Sequence, residues 1–80
     1  MVEAEIRVEL KKGVADPEGR NVQKTLGLLG FEGIEHVGTV KVYRLRLSEP
    51  DEEKALAGLE QMCQRLLANP VIHHYTVRIL

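Results

Sequence analysis

From Val2 to Lys11 the chain alternates without a break: Val2, Ala4, Ile6, Val8 and Leu10 are apolar, while Glu3, Glu5, Arg7, Glu9 and Lys11 are charged. Successive side chains of a strand point to opposite faces, so this period of two predicts a half-buried β-strand. The period then changes. Asp16 stands before Pro17, offering a carboxylate to the free N–H groups of a new helix while proline takes its first position. Val22, Leu26 and Leu29 recur at helical spacing. Gly30 is placed for the left-handed residue that ends a helix, with Phe31 folding back on Leu26. The predicted helix covers about 17 to 29.

A second strand is predicted over roughly 34 to 47, followed by a helix in SEPDEEKALAGLEQMCQRLLANP. Ser48 and Asp51 have capping-box spacing, with Ser48 as the expected cap, and the acidic first turn suits the positive end of a helix. Leu56, Leu59, Cys63 and Leu66 form one apolar stripe. Asn69 and Pro70 stop the helix, and a third strand runs from Val71 to the last residue, Leu80. The order is β-α-β-α-β, with no linker, repeat or low-complexity segment. The expected fold is an α+β two-layer sandwich, an antiparallel sheet with two helices on one face. An optional extra strand, β-α-β(-β)-α-β, arises if the middle strand breaks at Gly38.

The middle strand carries a conflict of length. If Tyr43, Leu45 and Leu47 face the helices, Val40, Val42, Arg44 and Arg46 face the other way, so that face is not simply polar. A straight strand over 34 to 47 would reach about 46 Å, whereas a compact chain of this length has a diameter of about 30 Å. Either the strand bends at Gly38 or it projects onto a neighbouring subunit. Both leave an apolar second face, for which self-association is the economical cover. Val42→Glu is therefore expected to weaken a homo-oligomer.

Composition narrows the function classes. Eighty residues make one small domain, 1–80, able to remove only about 60–65% of its unfolded surface from water. Eleven Lys and Arg against twelve Asp and Glu leave no basic excess, which argues against a nucleic-acid or anionic-membrane partner. Phe31, Tyr43 and Tyr75 are the only aromatics, too few for a base-stacking platform. Cys63 is the sole cysteine, which suits a reducing compartment, and the alternating N-terminus is neither a signal peptide nor a membrane span. A cytoplasmic protein is expected.

The candidate chemistry is thin. His73 and His74 are adjacent, so on a strand they point to opposite faces and cannot easily clasp one metal ion. His73 shares a face with Tyr75, Val77 and Ile79, and His74 shares the other with Thr76, Arg78 and Leu80. His36 is the only other histidine. Cys63 sits on an apolar helix stripe, without the electropositive neighbour a nucleophile needs. KKGVADPEG has neither dinucleotide-binding nor Walker spacing, and its Asp16 would repel an anion. No catalytic, cofactor or metal residue is expected. The candidate interface is Val40, Val42, Arg44, Arg46 and His74.

The segments LKKGVADPEG, LGLLGFEGI and MCQRLLANPVIHHY resemble, in order and nearly over the whole chain, the PurS family, the small subunit of phosphoribosylformylglycinamidine (FGAM) synthase. The resemblance rests on the DP-x-G turn (Asp16, Pro17, Gly19), the LGF triplet (Leu29 to Phe31) and LLANPVI (Leu66 to Ile72). This chain departs from the family pattern around Gly38 to Val40, and it carries His73 and His74 where an acidic pair is usual. The resemblance implies an accessory role, bridging a glutaminase subunit (PurQ) and a large synthase subunit (PurL) that uses ATP and magnesium, with no cofactor bound by the small subunit and no catalysis of its own. The rival class is a small ligand-binding regulatory domain of ferredoxin-like or ACT type, which needs four strands in βαββαβ order.

Overall fold

The alternating N-terminal segment becomes the central strand of the sheet. In the computed structural model, which describes residues 1–80, β1 (Val2–Leu10) is flanked by β2 (Val40–Leu47) and β3 (His73–Ile79) in the order β2-β1-β3, both pairings antiparallel. The register sets Ile6 between Tyr43 and Val77, and Glu5 between Arg44 and Arg78. The apolar residues of all three strands therefore share an inner face, and Val2, Ala4, Ile6 and Val8 of β1 are buried there. The tail holds to its end, since the Leu80 N–H donates to the Glu3 carbonyl at 2.9 Å.

Helix α2 (Glu52–Met62) covers the inner face and continues into a π-helical turn, Cys63–Leu67. Leu59, Cys63 and Ala68 pack with Ala4, Ile6 and Val8 as the core. The Ala68 N–H donates to the Cys63 carbonyl, five residues back, at 2.9 Å. That wider turn shifts the inward register by one residue. Leu66, expected in the apolar stripe, is 83% exposed, and Leu67 and Ala68 turn to the sheet instead. Leu56 lies at the rim, so Leu59 and Cys63 alone keep the predicted stripe.

Both helices begin on aspartates. Asp16 accepts from the Gly19 N–H ahead of α1 (Pro17–Leu28), as the sequence predicts. The cap of α2 is Asp51, accepting from the Glu53 N–H at 2.9 Å, and not Ser48. Pro50 explains the shift, because the residue before a proline disfavours helical backbone and Glu49 cannot open the helix. At the end of α1, Gly30 has φ +95°, with the Gly30 and Phe31 N–H groups donating to the Gly27 and Leu26 carbonyls. This is the Schellman closure expected there.

The α+β class, with three antiparallel strands and two helices, is as predicted, but the seat of one helix is not. α2 packs on the sheet, whereas α1 buries only Gly19 and lies against the extended segment 34–39. That segment pairs with no strand, because the ladder with β1 begins at Val40 opposite Glu9, near the end of β1. The optional fourth strand is absent, and with it the βαββαβ pattern of a regulatory domain. Instead α1 and 34–39 project as an arm. The molecule is 50 Å long with a radius of gyration of 16.3 Å, against about 12 Å for a compact chain of this length.

Candidate functional site

The outer sheet face carries the whole candidate interface, but it is a charged lattice and not an apolar patch. Across β2, β1 and β3 its rows are Arg46 with Glu3, then Arg44, Glu5 and Arg78, then Val42, Arg7 and Thr76, then Val40, Glu9 and His74. Arg46 pairs with Glu3 at 2.8 Å and Arg78 with Glu5 at 2.7 Å, while Arg7 and Glu9 approach to 3.9 Å. Arg44 makes no ion pair, because Arg78 holds Glu5 from the other side. The apolar second face expected from Val40 and Val42 is thus reduced to two valines at the end nearest the arm. The correction follows from β1, whose Glu3, Glu5, Arg7 and Glu9 fill the middle of that face.

The larger apolar surface is on the arm. Val22, Leu28, Leu29 and Phe31 are 42%, 79%, 69% and 59% exposed. An open groove of about 500 Å³ runs along Glu18, Asn21, Val22, Thr25 and Leu26. An arrangement with both helices on the sheet would cover Val22 and Leu29, and the one contrary signal in the sequence is the excess length of the middle strand. At the root of the arm a cavity of about 210 Å³ lies between Glu18 of α1, Thr39, Lys41, Leu67 and the inner-face end of the sheet.

The groups with candidate chemistry have structural partners. His73 and His74 fall on opposite faces, paired with Leu10 and Glu9 respectively. His73 has a partner that periodicity does not reveal: its Nδ1 accepts the Asn69 N–H at 2.9 Å, closing the turn after the π-helical segment. Asn69 completes that turn through Oδ1 to the Val71 N–H, and Lys11 donates from Nζ to the Pro70 carbonyl at 2.7 Å. Cys63 is fully buried, and burial pushes its thiol up from the ordinary value, with Glu60 adding to the rise. A raised thiol is a poor nucleophile. Asp16 is pulled the other way, below the usual carboxylate value, first by the Gly19 N–H and then by the N–H and hydroxyl of Thr39.

What the fold and these surfaces define is a small α+β subunit, made of a sheet with one covered face and an arm whose apolar helix is open. The residues 3–80 match the family PurS, phosphoribosylformylglycinamidine (FGAM) synthase, and the chain belongs to that family, a subunit of FGAM synthase in purine biosynthesis. It is 47% identical over 74 residues to the phosphoribosylformylglycinamidine synthase subunit PurS of Archaeoglobus fulgidus, covering 92% of each chain. The crystal structure of Methanocaldococcus jannaschii PurS, one of the subunits of formylglycinamide ribonucleotide amidotransferase, superposes with a TM-score of 0.86 at 44% identity, over 100% of this chain and 96% of that one. A chain in the structure of PurLQS from Thermotoga maritima aligns with a TM-score of 0.73 at 27% identity, over 99% and 96%.

Proposed function

We propose that this chain is the non-catalytic bridging subunit of FGAM synthase, holding the glutaminase (PurQ) and the large ATP-dependent subunit (PurL) in the geometry that passes ammonia from one to the other. The observation that carries this reading is its likeness, over nearly its whole length, to a chain of the T. maritima PurLQS assembly. A bridging subunit contributes proximity and not chemistry. On this reading ATP and magnesium are used on the large subunit, with no cofactor on this chain. The outer face, with Val40, Val42, Arg44, Arg46 and His74, is the contact for these two partners. The setting is cytoplasmic, and no helix is long and apolar enough to cross a membrane.

Self-association is part of the same proposal, as a homo-dimer or a higher homo-oligomer. The chain exposes 6268 Å², where a compact chain of its mass exposes about 4,900 Å². The excess is more than the roughly 800 Å² per partner of a standard interface. A second copy supplies what both exposed features lack. The arm of one copy has an apolar helix face without a sheet, and β2 is an edge strand whose inner-face residues Tyr43, Leu45 and Leu47 are only half-buried.

The test is a contrast of nitrogen sources. Added to the glutaminase and large subunits, this chain should raise glutamine-dependent amidine formation strongly, while the large subunit supplied with free ammonia needs it much less. Equal dependence under both nitrogen sources would contradict the bridging role.

A further inference from the structure

We propose that Asp16 is a positioning residue that clasps α1 to the segment 34–39 and holds the arm as one preformed body for docking on a second copy of this chain, an inference that rests on the self-association proposed above. The arm has almost no core of its own, since Gly19 is the only buried residue of α1. Its two pieces are fastened by polar contacts and one close backbone approach.

Asp16 uses its two carboxylate oxygens for different tasks. Oδ1 accepts the Gly19 N–H at 2.9 Å, which caps the helix. Oδ2 accepts both the N–H and the hydroxyl of Thr39, each at 2.8 Å, which ties the helix start to a residue 23 positions further along the chain. Next to this clasp the backbone of the segment runs directly over Gly19, where an added Cβ would collide with the Val37 carbonyl oxygen. One turn on, Gln23 Nε2 donates to the Ile34 carbonyl at 3.0 Å. Asp16, Gly19 and Gln23 thus fix the helix to the segment at successive points. His36 is the titratable group of the segment that acts on Asp16, and Glu18 is the charged neighbour in the first turn of α1.

The consequence is preorganisation. Ordering two flexible elements at the moment of association weakens binding, and an arm already set avoids that cost. Helix capping alone does not require the second oxygen, and this separates the two roles. Asparagine caps a helix about as well as aspartate, yet with its oxygen on the Gly19 N–H, Asp16→Asn would set an amide donor against the Thr39 N–H, a bond that no rotation of the hydroxyl replaces.

The experiment combines amide hydrogen exchange with sedimentation equilibrium on the full chain and three variants. Asp16→Asn should speed exchange at Thr39 by about tenfold or more and raise the dissociation constant of the homo-oligomer by about tenfold or more, with the β1 amides unchanged. Thr39→Val, which removes only the hydroxyl bond, should fall between Asp16→Asn and the wild type, and Thr39→Ser should restore the wild-type values. Unchanged Thr39 exchange in Asp16→Asn would overturn the clasp and leave Asp16 as a cap alone. Faster exchange in β1 as well would make it a residue of global stability. If the wild type is monomeric at every concentration while Thr39 still responds to Asp16→Asn, the self-association reading fails and the docking role with it, although the clasp itself stands.

Discussion

The two helices are nearly equal in length, 12 residues for α1 and 11 for α2, and each starts on an aspartate cap. Yet α2 buries Ala55 and Leu59 and leads into Cys63 at the centre of the core, whereas α1 buries only a glycine and leaves Val22 and Leu28 exposed. The difference does not lie in the helices themselves, since both have an apolar stripe. It lies in what carries them. α2 is followed by a strand that pairs with β1, which draws it over the sheet, while α1 is followed by a segment that runs past the end of β1 before pairing begins. An amphipathic period shows that a helix has a face to bury, and the connections decide which molecule supplies the cover.

The strongest way to separate the two regions is to empty them in turn. Leu59→Ala should cost about 2–5 kcal/mol in urea unfolding, because the side chain is fully buried between α2 and the sheet. Leu28→Ala, at a site 79% exposed, should change the same transition by less than about 0.5 kcal/mol at dilutions that keep the chain monomeric. Equal losses would mean that α1 belongs to the core after all.

Acid should loosen the arm before the sheet. The Gly19 N–H, followed by the N–H and hydroxyl of Thr39, favours the ionised form of Asp16 in the folded arm and lowers its pKa from 3.8. Its contribution is therefore complete above the unfolded carboxylate value and is lost as pH falls through the lower folded one. Protection of the Thr39 amide should be level above about pH 5 and fall below about pH 4, and the fall should vanish in Asp16→Asn. A decline centred near neutral pH would contradict this assignment.

The smallest effect on stability is expected on the outer face. Val42→Glu sets a carboxylate beside Arg7, its cross-strand neighbour, at a half-exposed position, so unfolding should shift by less than about 0.5 kcal/mol. Self-association through the arm should persist in this variant, while binding to the large subunit and the glutaminase should weaken. Loss of self-association would instead restore the valine face to the role the sequence suggested for it.

The parts of the fold legible in the sequence are those set by neighbours along the chain. The alternation of β1, the Asp16–Pro17 start, the Gly30–Phe31 closure and the divergence of His73 and His74 all follow from local periods and dihedral preferences. Features that depend on distant registers were hidden. Whether Glu3 and Glu5 neutralise arginines or leave an apolar face open depends on Arg46 and Arg78, 43 and 73 residues away on the flanking strands. The π-helical turn that expels Leu66 has no periodic signature, because the residues that widen it are ordinary helix formers. Pro50 did hold the clue to the Asp51 cap, through its effect on Glu49. Of the candidate site, the alternation of the strands puts Val40, Val42, Arg44, Arg46 and His74 on one sheet face, but the apolar arm is visible only as a middle strand too long for its domain.

Whether the open face of α1 is an interface is decided by sedimentation equilibrium of the wild type beside Leu29→Glu. Leu29 lies at the end of α1 and is 69% exposed, so a charge there leaves the monomer fold intact but is costly in an apolar contact. The wild type should be a dimer or larger species at micromolar concentration, and the variant a monomer with an unchanged circular dichroism spectrum. A monomeric wild type, or a variant that associates as tightly as the wild type, would contradict an interface there.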